Sequence, residues 1–192
     1  MLIACHQLRS RATTGFTLIE MMVTIAIVGI LLVLALPGYS QWIANTRVRT
    51  TTEAIQNGLM LAKAEAIRRN TKVQFALTAN DPVAANVNSI TSSVSGKSWI
   101  ARVYQSGGTY ATADFIEGRS SAEGSLNTTV TADQPTFVFT GIGGLSPIPA
   151  ATLNINVTGT GASRPLRITI SPGGGIRMCD PGLSIATTTM GC

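Results

Sequence analysis

Apolar residues form one long run near the start of the chain. From Phe16 to Leu36 the only charged residue is Glu20. A helix of that length crosses about 30 Å of hydrocarbon, and a core helix of a soluble domain seldom runs so far without polar interruption. The run therefore predicts a membrane-spanning helix.

Polar residues return after this run, but the apolar ones keep a helical spacing of three, four or seven positions. We predict one helix from Thr17 to about Arg69, kinked at Pro37, because proline removes a backbone donor and clashes with the preceding turn. The second half is amphipathic and must pack on the rest of the chain. Its apolar stripe consists of Val48, Ile55, Leu59, Ala62 and Ala66.

Beyond Asn70 the sequence changes to short β-branched and aromatic runs separated by turn residues, which is typical of antiparallel strands. Residues 80–96 and 107–134 are polar and predict long surface loops, with room for an added strand. The fold class is therefore α+β, a long helix packed on a small antiparallel β-sheet head. The predicted strands are Val73–Thr78, Trp99–Tyr104, Thr136–Thr140, Thr152–Val157, Pro165–Ser171 and Gly175–Cys179.

The last two predicted strands form a unit of their own. Apolar and polar residues alternate strictly over Leu166–Ser171, so one face is buried and one is wet. Pro172–Gly175 supplies residues that tolerate positive φ. We predict a hairpin.

Charge adds little to this picture. The formal net charge is +5, but Arg9 and Arg11 precede Gly15, and after Asn70 basic and acidic residues nearly balance. The overall basicity therefore gives no argument for nucleic-acid binding. With 12% charged residues and a mean hydropathy of +0.30, the chain is unusually apolar for a soluble protein.

The sequence also argues against catalysis. Its one histidine, His6, precedes Gly15, so the remainder has no Ser/His/Asp, Cys/His or histidine-ligated metal site. The stretch Gly141–Gly144 is better explained as a loop than as a phosphate cradle. We expect no enzyme activity, no cofactor and no metal.

Of three cysteines, Cys5 lies before Gly15, leaving Cys179 and Cys192. In an exported domain this pair is most simply a disulfide, worth roughly 3 kcal/mol. The alternative is two unpaired thiols in a frayed tail.

The apolar run follows Gly15, and residues 1–15 contain no signal core, so the run is retained rather than removed. Arg9 and Arg11 predict that this leader stays in the cytoplasm and that the bulk of the chain lies outside. Leu2–Cys5 superficially matches a lipoprotein box, but too few residues precede it.

Gly15–Glu20 and the apolar run after it resemble the class III signal of type IV prepilins and type II secretion pseudopilins. The resemblance implies that prepilin peptidase cuts after Gly15 and N-methylates Phe16. It also implies a helix bend at Pro37.

The position of Glu20 needs a physical explanation, because a carboxylate is costly in lipid. A carboxylate in a lipid-embedded helix costs about 2.5 to 3.5 kcal/mol at the centre and less near an interface. The resemblance supplies a partner, the amino terminus of a neighbouring subunit in a filament. The alternative is a carboxylate tolerated by snorkelling.

Further stretches resemble the GspH/FimT group of minor pilins and pseudopilins: Leu61–Asn70, Lys97–Ile100, Arg167–Ser171 and Gly174–Cys179. The resemblance implies a minor type IV pilin that joins other pilins in a priming or tip complex, anchored in the bacterial inner membrane with a periplasmic head. The alternative is a GspH-like pseudopilin of type II secretion. The expected organisation is a leader (1–15), a transmembrane helix (16–37), an amphipathic helix (38–70) and a β-rich head (71–192).

A third hypothesis is binding of double-stranded DNA for natural transformation. Some FimT-like pilins carry a GRxR pattern near the C-terminus, and Gly174–Arg177 matches it except that Gly175 replaces the first arginine. Arg164, Arg167 and Arg177 are the expected contacts. Alternatively, these arginines solubilise an exposed sheet edge.

Overall fold

The computed structural model describes residues 15–122 and 127–192, with the side chains of residues 34–37 left aside. One α-helix, α1 (Leu18–Arg69), comes first, and eight strands follow within the described residues. Short 3-10 turns lie at Ala84–Asn86 and Thr112–Asp114. The strands are β1 (Val73–Thr78), β2 (Ser98–Val103), β3 (Phe115–Arg119), β4 (Thr128–Ala132), β5 (Thr136–Phe139), β6 (Leu153–Gly159), β7 (Leu166–Ile170) and β8 (Ile176–Cys179).

Helix α1 ends in a Schellman motif. Asn70 takes a positive φ of 48°, its N–H donates to the carbonyl of Ile67, and the N–H of Thr71 donates to the carbonyl of Ala66. These bonds satisfy carbonyls that the last helical turn leaves open. The chain then enters β1 directly.

The strands form two antiparallel sheets, in the orders β3-β2-β1-β5 and β4-β6-β7-β8. The α+β class is confirmed, but the head contains two sheets where the sequence predicted one. The chain passes between the sheets more than once, because β4 belongs to the second sheet and β5 to the first. After β5 the loop that follows Thr140 folds back, so that the Ser146 N–H donates to the Val138 carbonyl and the Leu145 N–H donates to the Pro172 carbonyl.

All six predicted strands are present, with ends displaced by at most two residues. The added strand that the prediction allowed in residues 107–134 is present as two strands, β3 and β4. The predicted β7–β8 hairpin is confirmed. Gly174 adopts a φ of 77° in its turn, and the N–H of Ser171 donates to the carbonyl of Gly175 at 2.9 Å.

The chain divides into two units, Met1–Tyr39 and Ser40–Cys192. The second unit carries its own hydrophobic core, because the buried apolar residues run from Ala44 to Cys179. The largest are Phe75, Phe137 and Phe139 from the first sheet, Ile155, Ile168 and Ile170 from the second, and Ile55 and Leu59 from α1.

Candidate functional site

The residues that open α1 are those of the predicted processing signal. Gly15, Phe16 and Thr17 precede the helix in non-helical backbone. The Glu20 N–H donates to Thr17 Oγ1 at 3.3 Å, and the Met21 N–H donates to the Thr17 carbonyl at 3.2 Å. Threonine followed by glutamate three positions later is a capping-box pattern, a start signal that sequence reasoning had missed.

Large apolar side chains surround the first turns of α1. Every one from Leu18 to Val33 is at least half exposed within the chain. By length and composition, no single helix of the described residues qualifies as a membrane span, although the bent pair Leu18–Val33 and Gly38–Arg69 qualifies together. The kink predicted at Pro37 falls among residues whose side chains lie outside the described ones.

Glu20 is the one carboxylate in this apolar stretch. It lies exposed in the first turn of α1 and forms no ion pair among the described residues. The positive end of the helix dipole favours a carboxylate there. The position therefore suits an acid that faces outward, toward lipid or toward another molecule.

Two of the three arginines proposed to bind DNA share one face of the second sheet. Register pairs Arg167 with Cys179 and Thr169 with Arg177, so Arg167 and Arg177 are diagonal neighbours. Both make hydrogen bonds within the chain: Arg167 Nε donates to Asn156 Oδ1 at 2.7 Å, and Arg177 Nη2 donates to backbone carbonyls of residues 189 and 191. Arg164 lies outside the sheet, exposed on the turn before β7.

The predicted disulfide is confirmed. Cys179, the last residue of β8, bonds to Cys192 and closes a loop over residues 180–191. Inside the loop the Asp180 N–H donates to the Met190 carbonyl at 2.7 Å, and the Cys192 N–H donates to the Asp180 carbonyl at 3.2 Å. The Arg177 guanidinium therefore acts with the disulfide to fix this loop.

A buried arginine on the first sheet was missed. Arg102 is 6% exposed, its Nε donates to Gln74 Oε1 at 2.9 Å, and its Nη1 donates to the Val87 carbonyl. The guanidinium lies 3.6 Å from the centre of the Tyr110 ring, and the Tyr110 hydroxyl also donates to Gln74 Oε1. Burial lowers the pKa of Arg102, and the nearby Tyr110 opposes that shift.

This arginine connects three parts of the chain. Alternation along β2 places Arg102 on the face opposite Trp99 and Ala101, but nothing in the sequence indicates that the loops around Val87 and Tyr110 cover that face. The cluster fixes those two loops on the sheet. Its role is structural.

The end of α1 carries a compact charge cluster. Glu65 accepts hydrogen bonds from Arg68 and Arg69 at 2.7 to 2.9 Å. These bonds lower the pKa of Glu65 from 4.5 to about 2, against the opposing effect of its burial. Within residues 15–122 and 127–192, no three metal-ligating side chains of the His, Cys, Asp or Glu type come together.

Two family models match the chain. One, described as the prokaryotic N-terminal methylation motif, covers residues 10–36. The other, described as type II transport protein GspH, covers residues 51–174.

Relatives known by sequence match only part of the chain. A fimbrial protein of Pseudomonas aeruginosa is 35% identical over 71 residues, which is 37% of this chain and 46% of that protein. A fimbrial protein of Moraxella nonliquefaciens is 57% identical over 37 residues, 19% of this chain and 24% of that protein. The chain thus spans less than half the length of these relatives.

Among solved structures, the crystal structure of the type IV minor pilin FimU from Pseudomonas aeruginosa in space group P21 is similar, with a TM-score of 0.50. It is 15% identical, and the match covers 69% of this chain and 88% of that one. At this identity the likeness concerns the fold alone, a long helix followed by an antiparallel head.

Proposed function

Because this chain belongs to the GspH family of type IV pilin-like proteins, we propose that it is a minor type IV pilin of the FimT/FimU kind, serving in assembly priming or in a tip complex. Pilins and pseudopilins are structural proteins, not enzymes, and they interact with other pilins or pseudopilins. The observation that carries the proposal is the apolar start of α1, exposed on all sides and bearing the single acid Glu20.

Processing by prepilin peptidase is the first step of the proposal. The bond between Gly15 and Phe16 lies before the first helical residue, and an extended, uncovered bond suits a peptidase better than a helical one. Cleavage there leaves Phe16 as the new terminus, which is then methylated. The segment 16–37 anchors the protein in the bacterial inner membrane, and the head lies in the periplasm.

Glu20 orders the assembly by pairing with the amino terminus of a neighbouring subunit. A free amino terminus has a pKa of about 7.7 to 8.0 and is largely protonated at neutral pH. In a bundle of apolar helices, the terminal ammonium of Phe16 from one subunit neutralises the Glu20 carboxylate of the next. Because two unpaired charges in lipid are costly, this pairing fixes the axial register between subunits.

The test is made in the native host. Mass spectrometry of the purified protein should give methylated Phe16 as its first residue. Glu20→Ala should leave the protein in the membrane but remove it from sheared fibres, whereas the control Glu53→Ala, which removes a head carboxylate on the same helix, should not. A different terminus, or fibres that incorporate Glu20→Ala normally, would contradict the proposal.

The second candidate is a type II secretion pseudopilin of the GspH kind, which the family model over residues 51–174 favours. Both candidates share processing and Glu20 pairing. Deletion of the gene separates them: loss of surface pili with normal protein secretion supports the pilus, and the reverse supports the secretion system.

DNA uptake is the weaker proposal. Arg167 and Arg177 share a face, but both are already hydrogen-bonded within the chain, and three phosphate contacts give weak, salt-sensitive affinity. A gel-shift titration with double-stranded DNA at two salt concentrations tests it. Binding that disappears in Arg167→Gln or Arg177→Gln would support this role, and no shift at low salt would exclude it.

A further inference from the structure

One end of the head is assembled around Asn45. Its Oδ1 accepts hydrogen bonds from the backbone N–H groups of Ser163 and Arg164 at 2.9 and 3.1 Å, and its Nδ2 donates to Ser163 Oγ at 3.3 Å. These bonds hold residues 159–164, the last residue of β6 and the β6–β7 turn after it, against α1. Arg164 therefore lies at the level of Asn45 along the helix.

The disulfide loop starts at the same end. Register pairs Arg167, the second residue of β7, with Cys179, the last residue of β8. The loop over residues 180–191 therefore leaves the sheet where the β6–β7 turn enters it. It carries three exposed apolar side chains: Leu183 (46%), Ile185 (58%) and Met190 (66%).

Cations accompany these apolar groups. Arg47 and Arg164 are exposed and form no ion pair among the described residues, whereas Arg49 is paired with Glu53 at 2.7 Å. Arg47 follows Asn45 by two residues and therefore projects from roughly the opposite side of α1. This end thus bears positive charge on both sides of the helix.

Few residues of the sequence separate this end from the apolar segment. Trp42, 62% exposed, follows Pro37 by five residues, and Asn45 follows it by eight, which correspond to about 8 and 12 Å of helical rise. An arginine side chain is long enough to carry its charge well away from the backbone. At 0.1 M salt that charge still acts over a screening length of about 10 Å, so direct contact with lipid phosphates is not required.

We propose that a basal surface, formed by Trp42, Arg47, Arg164, Leu183, Ile185 and Met190, rests on an anionic phospholipid bilayer before assembly. Cations mixed with exposed apolar side chains are typical of interfacial lipid binding, and tryptophan concentrates at membrane interfaces. The inference rests on the proposed insertion of residues 16–37. It assigns Arg164 to lipid phosphates rather than to DNA.

The experiment uses the full chain in nanodiscs of neutral phosphatidylcholine or of phosphatidylcholine with phosphatidylglycerol, followed by hydrogen exchange and mass spectrometry. At low salt, residues 159–164 and 180–191 should exchange more slowly on anionic discs, and added salt should reverse the effect. Each arginine contributes about fivefold to the ratio of bound to free head. Arg47→Gln/Arg164→Gln should therefore remove most of the slowing, and Ile185→Ser should reduce it.

The controls lie at the other end of the head. Arg68→Gln removes one positive charge, and Ile142→Ser removes one exposed apolar side chain. Ile142 lies at this other end because the next residue, Gly143, is close to Lys63 and Ile67 of α1. Neither should change the exchange of the basal surface.

Equal exchange on the two lipids, or slowing that survives the double variant, would overturn the inference. So would equal slowing on neutral discs with inorganic phosphate or duplex DNA added. A chain that fails to enter the discs overturns the proposed membrane anchor, whereas one that enters without slowed exchange overturns the basal contact alone.

Discussion

At the scale of single residues, Gly58 is where α1 approaches the first sheet most closely. A Cβ added there would lie 2.7 Å from Trp99 Cε2 and 2.8 Å from Phe75 Cε2. These two rings stack with centroids 5.6 Å apart, so neither yields easily. The glycine permits the close helix–sheet contact on which the head's core depends.

We therefore expect Gly58→Ala to destabilise the head. Alanine gains about 1 kcal/mol of helix propensity, but overpacking a core costs about 1 to 3 kcal/mol and here meets aromatic rings directly. The net loss should be up to about 2 kcal/mol in urea unfolding. Asn57→Ala, one position away and exposed, is the control and should be neutral or stabilising. A stabilised Gly58→Ala would show that the rings move aside.

Glu65 predicts a pH effect. Its folded pKa of about 2 lies below its ordinary value of 4.5, so its stabilisation is complete above pH 4.5 and is lost as pH falls toward 2. Because Arg68 is 64% exposed, we discount the shift and expect about 1 kcal/mol. Glu65→Gln should cost this amount at pH 7 and progressively less in acid, measured by urea unfolding across pH. Glu53→Gln, from a more exposed pair, should cost less.

At the scale of elements, one side chain, Arg102, holds two loops on the face of the first sheet opposite Trp99. Arg102 bonds to Gln74 on β1 and to Val87 in the loop, and stacks on Tyr110 in the next loop. The small apolar cluster of Ala76, Val87, Ile90, Ile100 and Tyr110 lies under the same loops, and the Tyr110 N–H joins them by donating to Asn88 Oδ1 at 2.8 Å.

Arg102→Met should loosen both loops. It removes two charge-assisted hydrogen bonds and a cation–π contact, partly offset because a buried charge is no longer desolvated, for a net loss of about 1 to 2 kcal/mol. Hydrogen exchange should accelerate in residues 84–90 and 108–114, while α1 is unchanged. Lys97→Met, beside the first residue of β2, is the control. Uniform acceleration across the head would mean that the arginine supports the whole fold.

The elements that sequence predicted are those with a strong pattern. Leu166–Ser171 alternates strictly, and β7 forms there. By contrast, β3 contains Gly118 and half-buries both faces, and β4 is built of threonine, valine and alanine, so neither shows a clear apolar alternation. The second sheet also escaped prediction, because periodicity gives the faces of a strand and not its neighbours.

The candidate site divides in the same way. Glu20 and the apolar segment were predictable because their chemistry is local in the chain. The hydrogen bonds from Arg177 to residues 189 and 191 were not predictable, because they depend on a loop that the disulfide holds against the sheet. The burial of Arg102 likewise depends on loops distant in sequence.

At the scale of the whole molecule, two kinds of surface belong to two different environments. The segment from Leu18 to Val33 exposes apolar side chains all round, whereas Ser40–Cys192 carries a buried apolar core of its own. An apolar surface of that extent on one helix calls for lipid or for other helices. The buried core of the head requires neither.

We therefore expect residues 40–192 to fold alone. Their buried core begins at Ala44, and the chain ends are fixed by the Asn45 contacts and the Cys179–Cys192 disulfide, so unfolding should be a single cooperative transition of about 5 to 15 kcal/mol. Near-UV circular dichroism should retain the signal of the buried Trp99, and the full chain in detergent should unfold with the same midpoint. A fragment that binds hydrophobic dye and unfolds without cooperativity would instead mean that the head's packing depends on the apolar segment that precedes it.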